Sequence, residues 1–314
     1  MTTIGSTVDP LNGDQNPYGL AIAPASAGKV TAGDLVICNF NASSNVQGTG
    51  STIVGIHPTA GSAPYRIAQA NSLIGCDALT LDPNDNIYTA AWVSNLAPIF
   101  SPAGSLVSSN TNSIWSGPFG AIYTTGGTTG LASVFVSNAN NGSLARMDIR
   151  NGAVASTEVI ATGFAPNTGV PGTLLGASGL TYNPASDTLY IVDGGRARLI
   201  AFANATSIPA NGIVVGASGF TGSAASSASV IFTGTPLNLP ISAALLYNGN
   251  IVIGNTGDNN LVEISPGGQM LGEKVVDTGI AGAIFGIATS GTSLATQKIY
   301  FNDDNANTVV VVSQ

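Results

Sequence analysis

A nine-residue phrase recurs around this chain and restricts it to a ring of like units. Asn16-Pro-Tyr-Gly-Leu-Ala-Ile-Ala-Pro24 aligns without a gap on Gly75-Cys-Asp-Ala-Leu-Thr-Leu-Asp-Pro83 and again on Gly176-Ala-Ser-Gly-Leu-Thr-Tyr-Asn-Pro184. Weaker copies begin near Pro118, Pro240 and Ile284. With Gly19, Ala78, Gly120, Gly179, Ser242 and Gly286 taken as equivalent, the spacings are 59, 42, 59, 63 and 44 residues. Such periods suit four-stranded propeller blades with loops of variable length. The 28 residues after Gly286 are too few for another blade, and with the 18 before Gly19 they make one ordinary period. Thr2-Thr-Ile-Gly-Ser-Thr-Val8 alternates enough to supply the missing outer strand, which would latch the ring and remove a sheet edge.

The fold expected is therefore all-β, a six-bladed β-propeller closed by an N-terminal strand that completes the last blade. One domain spans 1–314, with a closing strand and linker at 1–15 and blades beginning near 16, 75, 117, 176, 239 and 283. Within each blade, strands A to D run outward from the axis. Strand A carries the phrase, and strand B is rich in β formers, as in Val134-Phe-Val136 and Leu189-Tyr-Ile191. Strand C includes Ala97-Pro-Ile-Phe100 in blade 2. Pro-x-Gly or Asn-Gly hairpins such as Pro102-Ala-Gly104 and Asn211-Gly212 lead into D. The B–C and D–A loops then share one face, called upper. The long irregular stretches 40–51, 163–176 and 220–239 fall mostly there, where binding usually sits on a rigid scaffold.

Composition narrows the partners. Charged residues are only 8% of the chain against roughly 25% in an average soluble domain, and the net charge is −8 with no basic stripe. Nucleic acid is excluded as a partner, because phosphate binding needs clustered cations. No apolar run approaches the roughly 18 residues of a membrane span. A surface dressed in Ser, Thr, Asn and Gly changes its self-repulsion little when carboxylates titrate. That composition fits an exported protein, periplasmic, extracellular or at the cell surface, whose leader has been removed. It fits equally a Gly/Ser/Thr-rich β protein of any compartment.

Asn86-Ile-Tyr-Thr-Ala, Asp187-Thr-Leu-Tyr-Ile-Val-Asp193 and Gly249-Asn-Ile-Val-Ile-Gly-Asn255 resemble the repeated phrase of NHL-repeat propellers. Gly33-Asp-Leu-Val-Ile-Cys-Asn-Phe-Asn41 and Asn141-Gly-Ser-Leu-Ala-Arg-Met-Asp148 are similar to segments of exported bacterial NHL-like proteins of undefined function. The resemblance implies the six-bladed fold and leaves activity open, since propellers host binders, lyases and lactonases alike.

The ends of the B strands form a column: Asn39, Ala91, Asn138, Asp193, Asn255 and Asp303, joined on the upper face by Asp77 from a strand A. Lactonases on six-bladed propellers are similar here, holding a divalent cation with Asn and Asp from these strand ends. That likeness implies a metal set of Asn138, Asp193, Asn255 and Asp303, and oxygen donors of mixed charge suit Ca²⁺. Two departures oppose it: Tyr18 stands where those enzymes place an acid at the first strand A, and no proton-transfer His is evident. Two other readings stay open for Asn39, Asp77, Asn138, Asp193, Asn255 and Asp303. They bind a small polar ligand or protein partner, or the strand-end residues only cap local backbone amides.

The remaining candidates are few. His57, the sole histidine, falls in a lower C–D turn, away from the column. Cys38 and Cys76 sit near one mouth in adjacent blades, as a disulfide, as two buried thiols, or as a reactive or soft-metal pair. Arg196 and Arg198 either greet an anion at the rim or pair with Asp193. Glu158 and Glu273 fall on outer strands. Tyr18, Phe119 and Phe285, at strand A starts, either floor the mouth or pack between blades. The function expected is a binding or scaffolding module acting at the upper mouth. A metal-dependent lactonase or lyase, and a structural surface or complex subunit, are the alternatives.

Overall fold

The computed structural model describes residues 1–126, 130–167 and 176–313. Six sheets follow one another around a ring, five of them antiparallel throughout and the third mixed. The chain begins with β1 (Thr2–Ser6) and then builds blade 1 from β2 (Gln15–Ile22), β3 (Leu35–Asn41), β4 (Thr52–Ile56) and β5 (Tyr65–Gln69). Blade 2 is β6 (Cys76–Leu81), β7 (Ile87–Ala91), β8 (Ile99–Phe100) and β9 (Leu106–Ser108). Blade 3 starts with β10 (Pro118–Thr124), β11 (Ala132–Asn138), β12 (Ser143–Arg150) and β13 (Ala153–Thr162). Blade 4 takes β14 (Ala177–Asn183), β15 (Thr188–Asp193) and β16 (Arg198–Ala203); the chain then passes through β17 (Ile213–Val215) and β18 (Phe220–Thr221) before β19 (Ala228–Thr233) completes the blade. Blade 5 is β20 (Pro240–Leu245), β21 (Ile251–Asn255), β22 (Asn260–Ile264) and β23 (Met270–Val275). Blade 6 is β24 (Ile284–Ser290), β25 (Lys298–Asp303) and β26 (Thr308–Ser313), with β1 as its outer strand. Thr2 pairs with Val311 and Ser6 with Thr308, the closure expected from the leftover period. Only single turns of 3-10 helix interrupt the strands among the described residues, and no helix there is long and apolar enough to cross a membrane.

The core lies between blades, not within them. Six apolar clusters each join two neighbouring blades, and the one between blades 6 and 1 includes Ile4 of β1. A strand pressed from both faces has no polar side, which is why β3 is buried at every residue. The small residue of the repeated phrase sits where neighbouring A strands come closest around the axis. A Cβ added at Gly179 would lie 2.5 Å from the Ser242 Cα, and one at Gly286 would run into the Tyr18 carbonyl. No larger side chain fits there without moving the next blade.

Two local expectations are corrected. Asn211-Gly212 does not turn into the outer strand of blade 4. Instead β17 pairs in parallel with β13 and extends blade 3 to six strands, and the outer strand of blade 4 is β19, inside the stretch read as an upper loop. Ile213 and Val215 are buried against Ile160 and Phe164 while Val214 faces solvent, so the period-two pattern was real but served the neighbouring blade. In blade 2 the third strand shrinks to Ile99–Phe100. Pro98 offers no N–H to the ladder, and only its carbonyl engages, accepting from the Thr89 N–H at 3.0 Å and hydroxyl at 2.7 Å. Most of the expected loop at 163–176 lies outside the described residues.

Candidate functional site

Each column residue pairs near the start of its A strand: Asn39 faces Pro17, the third residue of β2, while Asn138 faces Pro118, Asp193 faces Ala177, Asn255 faces Pro240 and Asp303 faces Ile284, the first residues of theirs. Strand A therefore stands between this column and the axis, and each side chain has found a partner nearby. The Asn39 amide donates to the Thr7 carbonyl at 3.0 Å. The Asn138 amide donates to Ser143 Oγ at 3.0 Å and to the Ile114 carbonyl at 3.2 Å, and its oxygen accepts from the Ser116 N–H at 3.1 Å. Asp193 holds Arg198 at 2.6 Å and Arg196 at 3.2 Å. The Asn255 amide donates to the Pro236 carbonyl at 2.8 Å, and Asp303 accepts from the Ala306 N–H at 3.2 Å. Asn39, Asn138, Asp193, Asn255 and Asp303 are all absent from the lining of the axial cavity, and each makes its own contact within its blade or the segment leading into it. No group of three or more His, Cys, Asp or Glu side chains is arranged to hold a metal among the described residues. Identical residue types at equivalent strand ends caused the misplacement, because they satisfy local backbone groups.

The axis is lined one step further along strand A. Every A strand shifts register near its start: between Pro17 and Leu20, Cys76 and Ala78, Pro118 and Ala121, Ala177 and Leu180, Pro240 and Ser242, and Ile284 and Ile287. A bulge re-aims the side chain it carries. In five blades the bulged residues Tyr18, Asp77, Phe119, Ile241 and Phe285 line a cavity of about 70 Å³ at the upper mouth. In the remaining blade, Ser178 turns away and donates to the Val192 carbonyl at 3.2 Å. The ring of small residues lines the same cavity, and a second axial space of about 330 Å³ lies further along among the lower halves of the A strands.

Tyr18 is stacked between Phe40 and Phe285, with ring centroids 4.2 and 3.7 Å away and planes 15° apart in both pairs. Its hydroxyl donates to Gln47 Oε1 at 3.3 Å, in the B–C loop of blade 1. Phe40, Trp92, Phe119, Ala139, Ile241 and Phe285 join Tyr18 in one buried cluster, so the mouth has an apolar collar. Of the two roles open to Tyr18, Phe119 and Phe285, both are present: they line the cavity and pack in one buried cluster that spans the blades. The part of Phe40, Trp92 and Ile241 escaped the sequence reading, although Ile241 occupies the same slot before the small residue.

Asp77 is the polar exception in that collar. It is 3% exposed, and neither carboxyl oxygen has a hydrogen-bond partner. Burial pushes its pKa well above the usual carboxylate range, favouring the neutral acid. Burial and then the charges of Asp77 and Asp304 raise the Tyr18 phenol. Asp304, behind Tyr18, is itself pushed up to about 7 by burial and by neighbouring Asp303.

Beside Asp77, Cys38 and Cys76 form a disulfide with Cα atoms 5.6 Å apart, tying strand B of blade 1 to strand A of blade 2. Arg196 and Arg198 serve Asp193, as the second of their two readings had it, and they also donate at 3.0 Å to the carbonyls of Gly163 and Ala217 respectively. His57 lies in its lower turn, but it is not a loose surface residue. Its Nδ1 meets the buried carboxylate of Asp34, which also accepts from the Tyr65 hydroxyl at 2.6 Å. Glu158 lies 3.6 Å from Arg146, and Glu273 accepts from the Asn260 amide at 2.6 Å; both are on outer strands.

No family model matches the chain, and no curated protein matches it in sequence. Solved structures do match, at identities that speak for the fold alone. A gluconolactonase from Xanthomonas campestris aligns over 95% of this chain and 86% of its own, with 13% identity and a TM-score of 0.63. A chain of the nidogen–laminin complex aligns over 90% and 87%, with 14% identity and a TM-score of 0.60. Virginiamycin B lyase from Staphylococcus aureus, solved with quinupristin, aligns over 97% and 83%, with 14% identity and a TM-score of 0.58. The NHL-like propeller expected from the sequence is met at the level of the fold, one shared with lyases, lactonases and a module from a laminin complex.

Proposed function

We propose that this chain is an exported binding propeller whose upper mouth receives a small ligand with one polar group on an apolar frame. Asp77 carries the reading. A buried carboxyl without a partner costs roughly 1–3 kcal/mol, and a leucine of similar size would avoid that cost. Its presence in an apolar collar is accounted for if a ligand completes it. The bulges that aim Tyr18, Asp77, Phe119, Ile241 and Phe285 inward, and the loop that brings Gln47 onto Tyr18, supply the remaining walls. The lactonase or lyase reading is less favoured, because Asn138, Asp193, Asn255 and Asp303 are absent from the lining of the axial cavity, although Asp193 Oδ1 and Asn255 Oδ1 are buried without a hydrogen-bond partner among the described residues.

Two features support export: a surface nearly free of ionised groups, and the Cys38–Cys76 disulfide, a bond at home in oxidising compartments. The binding reading is tested by soaking crystals with a panel of neutral, cationic and anionic fragments of up to about six heavy atoms. Density beside Asp77 is the expected result, and fragments that settle everywhere but the collar would refute it. The disulfide is checked by thiol titration of the denatured, unreduced protein. No free thiol is expected, and two would remove that support for export.

A further inference from the structure

Resting on the reading of the upper mouth as a binding site, we propose that the ligand's polar group is a primary ammonium on a short alkyl stem. Asp77 offers two oxygen acceptors with no partner, and an ammonium brings three donors to meet them. Among the described residues no Lys, Arg or His lines the cavity, so an anion would find a carboxyl and nothing to neutralise it. Arg196 and Arg198 are already committed to Asp193 in blade 4. The chain carries net charge −8, and Asp303 and Asp304 lie beyond Tyr18, so the field at the mouth favours a cation. Phe119, Ile241 and Phe285 provide apolar walls for the stem. The cavity of about 70 Å³ suits a head and a short chain, roughly the room of two waters in the liquid.

The association has a proton balance. The ammonium enters charged, the neutral Asp77 acid loses its proton to solvent, and a carboxylate–ammonium pair remains. No bond to carbon changes. Among the titratable groups that face Asp77 from the other blades, only Tyr18 of β2 lines the cavity, with Asp304 behind it; β10, β14, β20 and β24 contribute none. The Cys38–Cys76 disulfide alongside does not titrate. Where Asp77 is protonated in the free protein, one proton is released per ligand and affinity rises about tenfold per pH unit.

Titration calorimetry with n-propylammonium chloride at about pH 4, near the unshifted value where the raised pKa keeps Asp77 protonated, in two buffers of different ionisation enthalpy, counts that proton. The Ile241 methyl resonance reports whether the mouth is the place. Expected are a shift of Ile241, release of close to one proton, at least tenfold weaker binding of n-propanol, and loss of both binding and proton release in the isosteric Asp77→Asn. The proton count and the propanol comparison use the native chain, so they stand even if the variant folds poorly. Propanol binding as well as propylammonium, or binding without proton release, overturns the ammonium assignment and leaves the mouth intact as a site. If neither compound moves Ile241 and no fragment occupies the collar, both this inference and the binding reading fall.

Discussion

The N-terminal latch and the upper mouth each bury an aspartate, and they treat it in opposite ways. At the latch, Asp9 receives both ends of the Arg66 guanidinium, at 2.6 and 2.8 Å, and the backbone N–H groups of Leu11 at 2.7 Å and Asn12 at 3.1 Å. Burial alone would raise its pKa, but the arginine and the two amides outweigh that and hold it below the usual value. At the mouth, Asp77 has the burial and none of the partners. Asp9 fastens the segment between β1 and β2 to the outer strand of blade 1, and Arg66 is its fixed counterpart. Asp77 fastens nothing. A carboxyl that closes a fold comes with its cation built in, whereas one that waits for a ligand is left without.

The largest expected effect is on the latch. Deleting residues 1–8 removes Ile4 from the cluster between blades 6 and 1 and leaves β26 as a free edge. A loss of about 4–6 kcal/mol is expected from the apolar burial and the freed strand together. Urea denaturation measures it, and an unchanged midpoint would refute closure by β1. Next comes the cross-link beside the mouth. Replacing Cys38 and Cys76 together by alanine should cost about 2–4 kcal/mol, since the bond closes a loop with a sequence separation of 38. A cost near zero would mean that the blades alone hold the Asp77 bulge.

Asp9→Asn should then cost about 2–3 kcal/mol at pH 7, because Arg66 loses its charged partner. Asp77→Asn at pH 4 should change stability by less than about 1 kcal/mol, since a neutral acid and an amide are nearly interchangeable there. The two sites part company with pH. The lowered pKa of Asp9 contributes stability that is present above its unfolded value, 3.8, and lost as pH falls through the lower folded value. The raised pKa of Asp77 acts in the reverse sense: its neutral form suits the fold, and stability is lost as pH rises above 3.8 toward the folded value. Asp77→Asn should remove that decline and be more stable than the native chain at pH 8. Parallel stability curves for the two proteins between pH 4 and pH 8 would show that Asp77 is not buried as a lone acid.

Much of the site was legible, one residue away from where the sequence reading placed most of it. Asp77 appears in the recurring phrase in the slot of Tyr18 and Ser178, immediately before the small residue, and that slot lines the mouth in five blades. The B-strand ends looked equivalent and polar, which they are, yet strand A lies between them and the axis. The outer strand of blade 4 was hidden for a different reason. β19 has a mixed, half-exposed Ala-Ser-Val-Ile-Phe-Thr pattern, while Ile213-Val-Val215 carries a stronger strand signal that pairs with another blade.

From the sequence alone come the period, the number of blades and the closure by Thr2–Ser6. The reason is that a small residue is required wherever neighbouring A strands meet, and the chain repeats that requirement six times. Tertiary structure alone decided which polar side chains face the axis. A strand alternates its side chains with period two, so a single bulged residue turns one of them from the blade interface to the channel. Asp193, whose arginines lie three and five residues on, was legible locally. Whether a buried acid meets an arginine from far along the chain, as Asp9 meets Arg66, or an aromatic wall drawn from several blades, as Asp77 does, is decided by tertiary structure.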